Sequence, residues 1–178
     1  MDALSALSIE QATIDHLPSV VALARSWQLD NLPVGEDRSQ GFFIAGWELR
    51  EYQTFVEKAE YFSVVTEGMK LAGFAVAYSQ RHARLDPWLH RELTPHIAEY
   101  LLIEQMCVAP EWVGRGVGTS LMRHMLNLHA NGAVISEITR EPLNEASVNL
   151  HKRFGFTPLL ELTRPNGFPT TAWVLEQS

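Results

Sequence analysis

Three glycines at alternate positions, Gly114, Gly116 and Gly118, follow an apolar run that breaks at Pro110, and they open a helical pattern carrying Val117, Leu121 and Met122. Glycine removes Cβ atoms where backbone N–H groups must approach a ligand. The start of a helix presents unpaired N–H groups at the positive end of its dipole. Together these suit a phosphate or pyrophosphate, so the spacing predicts a phosphorylated cofactor. A P-loop would end in Gly-Lys-Ser/Thr, and the chain has no Gly-Lys pair. A dinucleotide-binding turn spaced Gly-x-Gly-x-x-Gly would need a glycine where Thr119 stands. A turn that merely needs positive φ is the plainer alternative.

Two ionisable side chains stand near this turn in sequence. Tyr100–Val108 reads as a strand, and alternation along it predicts Leu102, Glu104, Met106 and Val108 on one face, with Cys107 on the other. Glu104 is a candidate base or a salt-bridged carboxylate. Cys107 has no neighbour that would activate it as a nucleophile, so buried packing is expected. Ser147, Leu150, His151 and Phe154 lie at i, i+3, i+4 and i+7, which puts His151 on the buried face of a helix; a core histidine bonded to backbone is the alternative there. The other histidines, at 16, 82, 90, 96, 124 and 129, form no metal-ligand pattern with cysteine or carboxylates, and no metal is expected.

The elements that must position these groups follow from periodicity. A strand at Ser8–Ala12 leads into a helix from about Asp15 carrying Leu17, Val20, Val21 and Ala24. A second helix is predicted over Trp47–Ala59. Tyr61–Thr66 and Lys70–Ser79 form a hairpin about Glu67-Gly68-Met69. Arg81–Glu99 reads as a long loop with one helical turn. The helix behind the glycine turn buries Val117, Leu121, Met122, Met125 and Leu126 and stops at Asn131-Gly132. Val134–Ile138 is the next strand, Asn144 caps a helix ending at Gly155, and Leu159–Thr163 with Thr171–Leu175 makes a final hairpin. The expected architecture is a single α/β domain over 1–178, with a mixed, mostly antiparallel sheet and helices on both faces.

Composition narrows the function. With 46% hydrophobic and 20% charged residues the chain reads as an ordinary soluble domain. The net charge of -7 argues against a nucleic-acid partner and mildly favours a cationic substrate. No apolar run approaches a membrane span. Met1–Ala12 has no basic region followed by an apolar core, so no signal peptide is expected. The lone Cys107 suits a reducing cytoplasm.

Val108-Ala109-Pro110-Glu111-Trp112-Val113-Gly114-Arg115-Gly116-Val117-Gly118 resembles the acyl-CoA-binding motif of the GNAT N-acetyltransferase superfamily, Gln/Arg-x-x-Gly-x-Gly/Ala. A second block, from Asn144 through His151 to Gly155-Phe156, resembles that family's Asn…Ala…Tyr…Gly-Phe block. The resemblance implies central strands that splay to admit acetyl-CoA. It implies a pantetheine arm along Met106, Cys107 and Val108; for direct transfer, proximity and a backbone oxyanion contact at the Val108 amide are expected to supply much of the rate. The pyrophosphate would lie on Val113, Gly114, Arg115, Gly116, Val117, Gly118 and Thr119, with Asn144 also touching the cofactor. It further implies a base at Glu104, a primary amine of a small molecule or peptide as acceptor, and room for a homodimer. Two positions depart from the pattern: Val113 replaces Gln/Arg, with Arg115 expected to restore the charge, and His151 replaces the tyrosine credited with protonating the thiolate. Phe42, Phe43, Trp47 and Trp88 are the aromatic candidates for the acceptor pocket. An acyl-CoA sensor without turnover, or an interaction domain on the same fold, is the rival expectation.

Overall fold

The structure, a computed structural model, describes residues 7–32, 40–44 and 46–177; residues 1–6 of the N-terminal stretch read above lie outside them. Seven strands form one sheet: β1 (Leu7–Gln11), β2 (Tyr61–Glu67), β3 (Lys70–Ser79), β4 (Tyr100–Val108), β5 (Gly132–Thr139), β6 (Thr157–Thr163) and β7 (Pro169–Gln177). Their spatial order is β1-β2-β3-β4-β5-β7-β6. Every neighbouring pair is antiparallel except β4 with β5. Among the described residues, five α-helices accompany the strands: α1 (Leu17–Ser26), α2 (Leu49–Lys58), α3 (Pro87–Leu93), α4 (Val117–Leu128) and α5 (Glu145–Arg153).

Helices cover both faces, as expected. Phe74 and Gly73 are adjacent on β3 and so face opposite ways. The Phe74 ring meets Tyr52 of α2 at 5.9 Å. A Cβ added at Gly73 would lie 3.0 Å from Val117 and 3.3 Å from Leu121 of α4. The apolar spacing of α4 buries the five residues its sequence indicates: Val117, Leu121, Met122, Met125 and Leu126. Glu48 and Glu51 close a capping box that starts α2.

Two expectations are corrected. The segment 81–99 is not mainly loop: a 3-10 stretch over Gln80–Leu85 leads into α3, where Asp86 is the N-cap, accepting from the Leu89 amide at 3.1 Å, and Pro87 occupies the first turn. Proline at that position needs no N–H and comes with φ already helical. The second correction concerns β4. Ala77 pairs with Ile103 and Val76 with Gln105, so Glu104 is an extra residue, a β-bulge. The bulge reverses the phase of the strand. Cys107, paired with Phe74, and Gln105, bonded to the Tyr52 hydroxyl at 2.7 Å, both lie on the α2 side, while Met106 and Val108 lie on the α4 side. Glu104 also reaches toward the α2 side, so it does not share a face with Met106 and Val108, nor does Cys107 oppose it.

Candidate active site

The parallel strands β4 and β5 stay paired only from Tyr100↔Ala133 to Ile103↔Ser136. Beyond that they part, and Glu104 and Glu137 are the first residues past the fork. A cavity of about 530 Å³ opens there. It runs along β4 past Met106, Cys107 and Val108 to the glycine turn, with α5 on one wall and the segment 40–44 on another.

Gly114 and Gly116 have φ of +76° and +88°, which only glycine adopts without strain. Gly116 is the N-cap of α4. The amides of Val113 and Arg115 donate within the turn, to Pro110 and Trp112 carbonyls at 3.2 Å each. Those of Gly114, Gly116, Val117, Gly118 and Thr119 have no partner among the described residues. This narrows the anion cradle from the run 113–119 to five amides, all on the cavity wall. Arg115 does not line the cavity; its guanidinium lies over the Trp112 ring, 5.4 Å from the centroid. A pyrophosphate fits this cradle in charge and geometry: unpaired donors, a helix start and no Cβ in the way.

Asn144 lies on the cavity wall, but its side chain is used at both ends. Its Oδ1 accepts from the Ser147 amide at 3.2 Å, capping α5, and its Nδ2 donates to the Phe42 carbonyl at 3.0 Å. Phe42, Phe43 and Trp47 also line the cavity; Trp88 does not, and stacks instead under Arg164.

Glu104 is half-buried, and Tyr78 donates its hydroxyl to Glu104 Oε2 at 2.5 Å. Burial raises the Glu104 carboxyl to about 7; the Tyr78 bond and Arg164 oppose the rise, and the nearby Asp86 and Glu137 add to it. Arg164, from the turn after β6, donates Nε to both oxygens of Glu137 at 3.0 and 2.9 Å and Nη2 to Asp86 at 2.7 Å. Thr170 on β7 also donates to Glu137, at 2.6 Å. Burial alone would lower the Arg164 guanidinium, but these two carboxylates reverse that and lock it charged.

His151 is where the sequence reading changes most. Its Nδ1 lies 2.7 Å from the Ser147 carbonyl, an acceptor, so Nδ1 carries the proton. Nε2 then accepts from the Ser136 hydroxyl at 2.8 Å. Burial lowers the ring to about 4, against the opposing Ser147 bond. In this arrangement the imidazole is neutral, buried on the cavity wall, and has both nitrogens engaged, so it has no free N–H facing the cleft. The Cys107 thiol is pushed well up by burial and stays protonated, in keeping with packing.

Several cavity residues carried no sequence signal. Trp27, at the end of α1, donates Nε1 to the Val108 carbonyl at 2.9 Å. Ser136, Glu137, Arg164 and Thr170 reach the fork from β5, β7 and the hairpin turn. Their roles depend on which strands lie side by side, and no local pattern encodes that. Among the described residues no group of three or more His, Cys, Asp or Glu is placed to hold a metal ion. No described helix is long and apolar enough to cross a membrane.

The sequence pattern of the Acetyltransferase (GNAT) family matches residues 22–156. No curated protein matches the chain. Solved structures share its fold. Ard1 from Thermoplasma volcanium is 16% identical with a TM-score of 0.73, the match covering 97% of this chain and 99% of that one. Arabidopsis thaliana Naa50 in complex with the bisubstrate analogue CoA-Ac-MVNAL is 13% identical with a TM-score of 0.66, covering 96% and 99%. The yncA protein of Salmonella typhimurium, solved with its cofactor acetyl-CoA, is 15% identical with a TM-score of 0.66, covering 97% and 94%.

Proposed function

The chain belongs to the GNAT acetyltransferase family, and we propose that it is an N-acetyltransferase that moves the acetyl group of acetyl-CoA directly to a primary amine of a small molecule or peptide. The observation that carries this reading is the single cavity joining five unpartnered amides at the glycine turn to a carboxyl group near neutrality at the fork. Acetyl-CoA supplies the activated acyl group. The chain's residues bind, orient and deprotonate.

The amides of Gly114 and of Gly116 to Thr119 hold the pyrophosphate, and the edge of β4 from Met106 to Val108, which β5 no longer pairs and where Trp27 takes the Val108 carbonyl, aligns the arm that leads to the fork. An aliphatic amine has a pKa of about 10.4, so roughly one in a thousand is neutral at pH 7. Glu104 takes its proton, directly or through water. A carboxyl at about 7 is divided between its two forms at neutral pH, which is where a general base works best. The leaving thiol, at about 8.5, is a tolerable anion and takes its proton from solvent. Proximity supplies much of the rate.

The CoA-Ac-MVNAL analogue bound by Naa50 supports including peptide N-termini among acceptors. Acetyl-CoA turnover against small amines, amino acids, polyamines, aminoglycosides and peptide N-termini tests the proposal. Transfer to at least one class, lost in Glu104→Gln, is the expected result. The neutral, doubly bonded His151 favours a second reading, acyl-CoA binding without turnover. Calorimetric binding of acetyl-CoA with no transfer to any member of the panel would establish it; absence of binding would leave an interaction domain.

A further inference from the structure

The bulge leaves Glu104 at an irregular point of β4, where the strand's alternation does not fix the direction of its side chain. Something else must aim the carboxylate. The Tyr78 phenol is the group in place to do so. Tyr78 is fully buried, its ring stacked on Phe55 of α2 at 6.0 Å and set against His90 of α3 at 5.7 Å. Its hydroxyl donates to Glu104 Oε2, and Glu104 Oε1 has no hydrogen-bond partner among the described residues. Burial, with Glu104 beside it, pushes the phenol far above its ordinary range, so it remains a donor throughout the working pH range.

We propose that Tyr78 is the positioning residue for Glu104: its rigidly held hydroxyl takes one carboxylate oxygen and leaves the other for the acceptor's proton. The proposal rests on the reading of Glu104 as the base. In the step it serves, an N–H bond of the acceptor ammonium breaks, its electron pair stays on nitrogen, and an O–H bond forms at Glu104 Oε1. The charged and titratable groups around the carboxylate come from every element packed there: Tyr78 on β3, Asp86 before α3, Glu137 on β5 and Arg164 after β6. Burial lowers the His90 ring on α3, with Asp86 opposing, and lowers the His151 ring on α5 to about 4. Of these, only Tyr78 bonds to Glu104 directly.

The test reads Glu104 without needing the acceptor. In protein labelled with ¹³C-carboxyl glutamate, the Glu104 resonance is identified by its loss in Glu104→Gln and titrated. The midpoint is expected near the value of about 7 in the native chain. In Tyr78→Phe, which keeps the ring and its stacking, the midpoint rises by about one pH unit, as loss of a bond to a charged group requires. With an acceptor found by the amine panel, kcat of Tyr78→Phe falls about eightfold at pH 6.5 and lies within about twofold of native at pH 9, as that rise in midpoint dictates. KM for acetyl-CoA is unchanged. The Tyr78→Phe and Glu104→Gln effects do not add in the double variant. Should Tyr78→Phe fail to fold, fluorotyrosine incorporation strengthens the donor with little change of shape, and the midpoint falls. An unmoved midpoint in either protein overturns the proposal, even with a lowered melting temperature. A moved midpoint with full activity in Glu104→Gln leaves Tyr78 as the group that orients Glu104 and instead overturns the reading of Glu104 as the base.

Discussion

The hydroxyl of Ser136 donates to Nε2 of His151 at 2.8 Å, one residue short of the point where β5 leaves β4. The bond fixes a neutral ring, and it ties the start of the cleft to α5. Stability should therefore depend on pH through this residue. Its pKa in the folded chain is lowered to about 4 from 6.5. The unfolded chain thus binds the proton first as pH falls, and stability is lost on acidification between those values. The gap, at about 1.4 kcal/mol per pH unit, is worth about 3 kcal/mol in full, of which about 2 kcal/mol is lost between pH 7 and pH 5. Urea unfolding of the native chain and of His151→Phe at both pH values checks this: the native chain should lose about 2 kcal/mol more than the variant. Equal losses would assign the acid sensitivity elsewhere.

The glycine turn offers a cleaner substitution at Gly118 than at Gly116. A Cβ at Gly118 would make ordinary contacts, 3.5 Å to Val108 and 3.8 Å to Leu150, whereas Gly116 sits at positive φ. Gly118→Ala should fold normally. Gly118→Glu adds a negative charge beside the unpaired amides and should weaken acetyl-CoA by at least about tenfold, roughly 1.4 kcal/mol. Calorimetry on the folded variants decides it; undiminished binding would move the pyrophosphate off this turn.

Glu104 sets the expected pH–rate profile. With its carboxyl at about 7, kcat/KM should rise with pH through neutrality. Glu104→Gln should lower the rate by roughly 10²-fold at pH 7, with the deficit shrinking toward pH 9 as free amine accumulates. An unchanged rate across that range would leave water as the base.

Arg164 joins carboxylates from two segments, Asp86 before α3 and Glu137 on β5, both nearly buried. Arg164→Ala leaves them facing each other uncompensated. Because the guanidinium is 29% exposed, the cost should fall below that of a fully buried pair, at about 2–3 kcal/mol. Adding Glu137→Gln should recover part of it. Its removal also withdraws positive charge from Glu104, so the rise of kcat/KM should move to higher pH. Denaturant unfolding and the rate profile of the same variant check both.

Much of this architecture is written in local patterns. Both hairpins, the buried stripe of α4 and the cap at Asn144 follow from spacing and turn chemistry, because each depends on residues within a few positions of one another. α3 was missed: Asp86-Pro87 suits a helix start, but prolines also mark loops, and the polar segment reads as loop. The bulge at Glu104 was not legible. Register is decided between strands, and one extra residue reverses which face every later side chain meets. For the same reason the histidine at 151 could be placed on a buried face while its bond to Ser136, from a neighbouring strand, could not. The Arg164 cluster gathers three distant segments and leaves no mark on any of them.

A sheet that splits at Ile103 and Ser136 has four edges where an intact one has two. β1 and β6 form the outer pair. The inner pair, on β4 and β5 past the split, looks across a cleft walled by α4 and α5. Apart from the Val108 carbonyl, which Trp27 holds, the backbone there faces a cleft wide enough for a slender guest and flanked by helices, a way of covering strand edges against pairing with another chain. The protection depends on α5 staying wound. Asn144 both starts that helix and ties it to Phe42, so this one amide holds the shape of the cleft.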